Sequence, residues 1–122
     1  MTRQEIFDKA AGGVIKQGKR SALLVYGYQL ARYHAAKDIK CPVGHLILDE
    51  FYREELEGRG LASSNTMVCD ALINSGVDVK DFDILRELQI AHDKIWGTED
   101  FMPTFISKAK QVAQEFNLEW NF

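Results

Sequence analysis

The first 18 residues carry both a start signal and a stop signal for one helix. Thr2 and Glu5 form a capping box, in which each side chain accepts a hydrogen bond from the other residue's backbone amide. Gly18 supplies the left-handed residue that ends many helices, and Lys16 suits the negative end of the helix dipole. Apolar residues repeat every four positions in between: Ile6, Phe7, Ala10, Ala11, Val14 and Ile15. We therefore predict a helix over Arg3–Gln17 with one buried face.

The next segment, SALLVYGYQLARYHAAKDIKC at 21–41, fits two structures. Its large residues alternate and are typical of a strand: Leu24, Tyr26, Tyr28 and Leu30. A helix over 22–36 is the alternative, because alanine, leucine, glutamine and arginine all tolerate one. Gly27 in the middle weakens a helix more than a bent or bulged strand. We favour an antiparallel strand pair with its turn near 35–38.

After this segment the sequence predicts a short helix and then a loop. Pro42 fits the first turn of a helix, where its missing amide costs nothing. Val43, Leu46 and Ile47 would form the inward face. The charged run REELEGRG at 53–60 ends in two glycines and predicts an exposed loop.

Three further helices have recognisable ends. One has hydroxyl caps at Ser63 or Ser64 and a stop at Gly76, and its apolar residues cover most of its circumference, which predicts a central position. The second follows Asp81 and stops at Gly97; its stripe is Leu85, Leu88, His92 and Ile95. The last begins at Asp100 and tolerates Pro103 in its first turn. Its stripe is Phe105, Ala109, Val112, Ala113 and Phe116.

These segments predict a mainly α (α+β) fold with about five helices around one core and a small hairpin between helix 1 and helix 2. The 122 residues are the usual size of one domain, so we expect a single domain over 1–122. No apolar run approaches the roughly 20 residues of a membrane span, and the first residues lack a signal-peptide core. We expect a cytoplasmic protein that does not bind a membrane.

Charge argues against nucleic acid as a partner. The net charge is −3, and the basic residues are scattered along the chain. Phosphate loops, dinucleotide fingerprints and nucleophile elbows are missing from the sequence. No cofactor is therefore expected.

Cys41, His45 and Asp49 stand four residues apart and suggest a thiol, a base and an orienting carboxylate. A cysteine at the start of a helix would have a lowered thiol pKa. However, side chains at this spacing on one helix point the same way and do not converge. A metal site is a second alternative and would need Cys69 and His92 to join Cys41 and His45. We favour a structural role for all three residues, with Cys41 as a packed thiol.

Two other polar groups receive structural interpretations. His92 lies on a helical stripe, which predicts a core-edge histidine bonded to a carbonyl. The carboxylates of DEFYREELE at 49–57 lack the alternating ligands and the glycine turn of a calcium loop, so we expect a solvated face.

Four segments resemble a family of small proteins carried by bacteria and phages: QGKRS at 17–21, KCPVGHLI at 40–47, LRELQIAHD at 85–93 and EFNL at 115–118. That family has a K-C-x-V-G-x-L-I motif after a short hairpin and a later L-x-x-L-Q-x-x-H-D helix. The chain departs from it at Asp38, at Pro42 and at His45, where a second cysteine is usual. The resemblance implies the hairpin and a phage or prophage setting, and it implies no reaction.

The function that we predict is protein binding. Tyrosine, arginine and tryptophan anchor many interfaces, and Tyr28, Arg32, Tyr33 and Trp120 are the candidate anchors. The expected partner is a host, defence or phage protein, and a second copy of the chain stays open as a partner. The alternative is a small enzyme, or a metal- or ligand-binding protein, that uses Cys41 and His45.

Overall fold

The computed structural model describes residues 1–25, 28–61, 66–95 and 100–122, with the side chains of 24, 25, 28 and 29 left out. This part of the chain contains four α-helices: α1 (Arg3–Gln17), α2 (Thr66–Asn74), α3 (Phe82–Asp93) and α4 (Phe101–Glu115). It also contains four short strands: β1 (Ala22–Val25), β2 (Tyr28–Ala31), β3 (His34–Ala36) and β4 (Ile39–Lys40). The fold is mainly α with a small β part, as predicted. None of these helices has the length and the apolar character needed to cross a bilayer.

Helix α1 has the predicted bounds, because its two end signals are local. The Thr2 hydroxyl accepts a hydrogen bond from the Glu5 amide at 3.1 Å, and the Thr2 amide donates to the Glu5 carboxylate at 3.0 Å. Gly18 ends the helix at φ +76°. The face with Ile6, Phe7, Ala10, Ala11 and Val14 is buried. It packs against α3 and α4, so these three helices enclose the core.

The β part consists of two hairpins, where one was predicted. Strands β1 and β2 pair antiparallel, with Leu23 opposite Leu30, and β3 pairs with β4 around the predicted turn. Beyond Ala31 the Arg32 amide still donates to the Ser21 carbonyl at 3.1 Å, whereas the Tyr33 and His34 amides donate to the Glu57 carboxylate at 2.8 and 3.1 Å. Tyr26 and Gly27 lie outside the described residues.

The helix predicted after Pro42 is wrong, which reduces five helices to four in the described ranges. Residues 42–47 form consecutive turns, with Leu46 and Ile47 donating three positions back to Val43 and Gly44. Gly44 lies directly against the Tyr33 carbonyl, and a β-carbon there would overlap that oxygen. This close approach and the three-residue spacing favour turns over an α-helix. Val43, Leu46 and Ile47 are nevertheless buried, as predicted.

The loop predicted at 53–60 is partly wrong, because Glu54–Leu56 is a short 3-10 helix with Leu56 buried. Two other 3-10 helices are Asp49–Phe51 and Val79–Asp81. Helix α2 is not central: Val68, Ala71 and Leu72 are buried, while Ile73 faces solvent. Its predicted caps Ser63 and Ser64 lie outside the described residues, as does Gly97.

Helices α3 and α4 follow the predicted stripes. Leu85, Leu88 and His92 are buried on α3, and Ile95 is buried just after it. Pro103 lies in the first turn of α4, as predicted. The buried residues of α4 are Phe105, Ala109, Val112 and Ala113, with Phe116 packed at the core edge.

Candidate functional site

The Cys41 thiol is fully buried, at the start of the turns that follow β4. Its sulfur accepts a hydrogen bond from the Gly44 amide at 3.4 Å. Burial raises the pKa of the Cys41 thiol well above its usual range, although this amide acts in the opposite direction. Since no helix begins here, a helix dipole does not offset the burial. The thiol therefore stays protonated at neutral pH and is a poor nucleophile.

His45 points to a different part of the molecule, namely the middle of α1. Its ring lies on Gly13, where a β-carbon would stand 2.5 Å from the ring. Its Nε2 lies 2.8 Å from the Gln17 side-chain oxygen, which also accepts from the Lys40 amide at 3.0 Å. Burial first, and then the positive charge of Lys40, lowers the pKa of His45 to about 4. His45 is thus neutral at pH 7.

Asp49 is the third residue of the predicted stripe, but it does not form a triad with Cys41 and His45. Its side chain is 81% exposed and pairs with the Lys40 ammonium at 3.3 Å. Cys41 bonds Gly44, His45 bonds Gln17 and Asp49 bonds Lys40, so the three side chains have separate partners. The structure does not bring them together.

The metal alternative also lacks its geometry. Across the described ranges, no three histidine, cysteine, aspartate or glutamate side chains are placed to share a metal ion. Cys41, His45, Cys69 and His92 all lie in these ranges and do not assemble into a ligand set.

His92 is fully buried and has partners other than the predicted carbonyl. Its Nε2 lies 3.0 Å from the Ser21 amide, and its Nδ1 lies 2.7 Å from the Asp93 carboxylate. The amide can only donate, so Nε2 is the acceptor and Nδ1 carries the proton. A histidine–aspartate pair of this kind resembles half of a catalytic triad. However, the Ser21 amide occupies the nitrogen that would act as the base, so the pair joins α3 to the start of β1.

The expected solvated face at 49–57 is wrong for Glu57. Besides two backbone amides, its carboxylate accepts from the Tyr52 hydroxyl at 2.6 Å and lies 3.6 Å from the Arg32 guanidinium. Glu54 pairs with the same guanidinium at 2.7 Å but is largely exposed. Glu57 thereby fastens the 3-10 segment to the chain between β2 and β3. The positive φ of Gly58, +78°, ends this segment.

The three predicted anchors whose side chains are described, Arg32, Tyr33 and Trp120, are each at least partly covered by the rest of the molecule. Tyr33 is buried, and its hydroxyl donates to the Arg59 carbonyl. Arg32 is mostly covered by its ion pairs. Trp120 packs edge-on against Phe7 at 6.2 Å, so the core covers part of its ring. The side chain of Tyr28 lies outside the described residues.

Sequence reasoning missed an apolar surface on the first hairpin. Leu23 and Leu30 are 37% and 52% exposed and stand directly opposite each other, so both point to the same face. Ala36 and Ile39 of the second hairpin line a hollow of about 450 Å³ beside Leu23. We call Leu23, Leu30, Ala36 and Ile39 the hairpin surface. Its sequence signal depends on the strand register, because the two leucines stand together only when Val25 is paired with Tyr28.

Comparison with known proteins gives no match: no family model, no curated protein and no solved structure matches the chain. The resemblance to the phage-borne family stays a prediction.

Proposed function

We propose that the chain is a cytoplasmic accessory protein of phage or prophage origin that docks on a host or phage protein and has no catalytic activity of its own. One observation supports it above all: two leucines are exposed side by side on the first hairpin. Contiguous exposed apolar residues can mark a surface at which another protein docks. The four motif segments support the phage setting.

The hairpin can bind a partner in two ways at once. Full burial of a leucine contributes about 1.5–3 kcal/mol, so covering the exposed 37% of Leu23 and 52% of Leu30 contributes roughly 1.3–2.7 kcal/mol. Within the described ranges β1 and β2 form a sheet of only two strands. Their outer backbone groups can therefore pair with an extended segment of a partner.

The chemistry around the buried thiol and the buried histidine–aspartate pair supports binding over catalysis. The Cys41 thiol is buried and protonated, and the nitrogen that His92 would need as a base is occupied. A protein of this kind would change its partner's activity by occupying a surface.

The test is affinity capture from a bacterial host with matched variants. Leu30→Glu places a charge on the hairpin surface, while Ile90→Glu places the same charge at a site on α3 that is 47% exposed. We expect the wild type and Ile90→Glu to retain the same stoichiometric protein, and Leu30→Glu to lose it. Tyr28→Ala tests the remaining predicted anchor in the same assay. Equal capture by Leu30→Glu and Ile90→Glu, or no captured protein at all, would contradict the proposal.

A further inference from the structure

A second feature of the molecule is a cavity between α1 and the turn of the second hairpin. It has a volume of about 390 Å³ and lies beside His45, Gln17 and Gly13. Pockets of a few hundred cubic ångströms are typical of small-molecule sites. The proposed docking surface lies on other residues, so this cavity calls for its own explanation.

Positive charge dominates the walls of this cavity. Lys16, Lys37 and Lys40 line it, against the single carboxylate of Asp38. Within the described part of the chain, Lys16 and Lys37 form no ion pair, and the partner of Lys40 is the exposed Asp49. Three ammonium groups against the carboxylates of Asp38 and Asp49 leave a local charge of about +1.

The neighbouring surface is apolar. An open hollow of about 530 Å³ continues from the cavity along α1 and shares Gly13 and Lys16 with it. Gly12, Ile15 and the half-exposed ring of Phe122 line this second hollow. A ligand that fills both spaces would place an anionic group among the lysines and a flat apolar group against Phe122.

We propose that these two hollows together bind a phosphate monoester that carries a flat ring. A phosphate monoester has a charge of about −1.5 to −2 at neutral pH and three acceptor oxygens, so one group can accept hydrogen bonds from both Lys16 and Lys37. The ring covers the exposed part of Phe122. The site uses none of the residues of the hairpin surface, although Lys37 and Asp38 lie between Ala36 and Ile39, and it goes beyond the proposed docking function.

The His45 ring gives a signal of ligand binding in the cavity, and this residue need not be substituted for the measurement. Burial and the charges of Lys40, His34, His92 and Lys9 all lower the pKa of the His45 ring. A bound anion opposes those charges, so ligand binding raises that pKa. The resonances of the His45 ring then shift with ligand concentration and with pH.

The experiment is an NMR titration of the His45 ring at low, matched ionic strength with phenyl phosphate, inorganic phosphate and chloride. We expect saturable shifts with phenyl phosphate, weaker binding of inorganic phosphate, and no saturation with chloride. Lys37→Gln should raise the Kd for phenyl phosphate about five- to tenfold, because it removes one charged hydrogen-bond donor. Lys94→Gln, an exposed lysine at the end of α3, is the control and should change the Kd by less than about twofold.

Several outcomes would overturn the proposal. Linear shifts with phenyl phosphate, or equal Kd values for the Lys37→Gln and Lys94→Gln proteins, would exclude the lysine site. Equal affinity for inorganic phosphate and phenyl phosphate would exclude the ring-binding half. Because Lys37 lies outside the hairpin surface, partner capture by Lys37→Gln distinguishes failure here from failure of the docking function.

Discussion

Replacing Gly13 by alanine should destabilise the protein, although alanine is the better helix former. In an exposed helix this change stabilises by about 1 kcal/mol, because glycine loses more backbone entropy on folding. At position 13 the new β-carbon would stand 2.5 Å from the His45 ring. The ring cannot turn aside freely, because its Nε2 is bonded to Gln17 and Gln17 is bonded in turn to Lys40.

The expected magnitude follows from two opposing effects. Overpacking of this kind costs about 1–3 kcal/mol, against the gain of about 1 kcal/mol from helix propensity. The net loss in the free energy of unfolding should be about 1 kcal/mol. If His45 is first replaced by alanine, the overlap is gone and only the propensity gain remains. Gly13→Ala should then stabilise by about 1 kcal/mol, so the sign of its effect reverses.

Gly12 provides the matched comparison. A β-carbon there would stand 2.5 Å from the Phe122 ring, but that ring is half exposed and has room to shift into solvent. We expect Gly12→Ala to be neutral or stabilising by up to about 1 kcal/mol. Urea unfolding followed by circular dichroism at fixed pH measures the wild type and the four variants: Gly13→Ala, His45→Ala, the double variant and Gly12→Ala. A full stabilisation by Gly13→Ala with His45 present would refute the close packing of His45 on α1.

Three further predictions concern buried polar groups. Native-state alkylation by iodoacetamide should modify the partly exposed Cys69 at least about tenfold faster than the buried Cys41. Mass spectrometry of the peptides measures both rates, and faster modification of Cys41 would contradict the prediction. Glu57→Ala should lower the free energy of unfolding by about 2–3 kcal/mol, whereas the exposed Glu55→Ala should change it by less than about 0.5 kcal/mol; equal urea midpoints for the two variants would contradict the fastening role. Since the pKa of His45 falls from 6.5 in the unfolded chain to about 4 in the folded chain, the unfolded chain binds the extra proton, and the stability that this histidine contributes is lost as pH falls from about 6.5 to 4. His45→Gln should flatten that dependence in urea midpoints measured across this range, and an unchanged slope would count against the lowered pKa.

The sequence predicts α1, α3 and α4 well because their signals are local. The capping box at Thr2 and the glycine at position 18 act within a few residues, so they need no knowledge of the rest of the fold. The apolar stripes of α3 and α4 have the helical period, and burial follows from that period.

The errors arise where a distant partner decides the structure. Pro42 is compatible with a helix, but the contact between Gly44 and the Tyr33 carbonyl fits only turns. In the sequence Glu57 looks like one of several solvated carboxylates. In the fold, two amides from 23 and 24 positions away donate hydrogen bonds to its side chain. His92 and Ser21 are 71 positions apart, so neither local sequence segment predicts their hydrogen bond. The glycines at 12 and 13 were a visible signal, since such a pair weakens a helix unless other groups pack closely on it.

The contact between α1 and the residues that follow α4 bears on how the chain folds during synthesis. Gln4 exchanges two hydrogen bonds with the backbone of Glu119, 115 positions later, and Trp120 covers Phe7. A ribosome adds roughly 5–20 residues per second, so roughly 5–25 s pass between the synthesis of α1 and the synthesis of these partners. Throughout that interval Phe7 lacks the aromatic cover that it has in the folded protein. Helix α1 is therefore completed only by residues 119 and 120, and their synthesis sets the earliest moment at which this part of the native core can close.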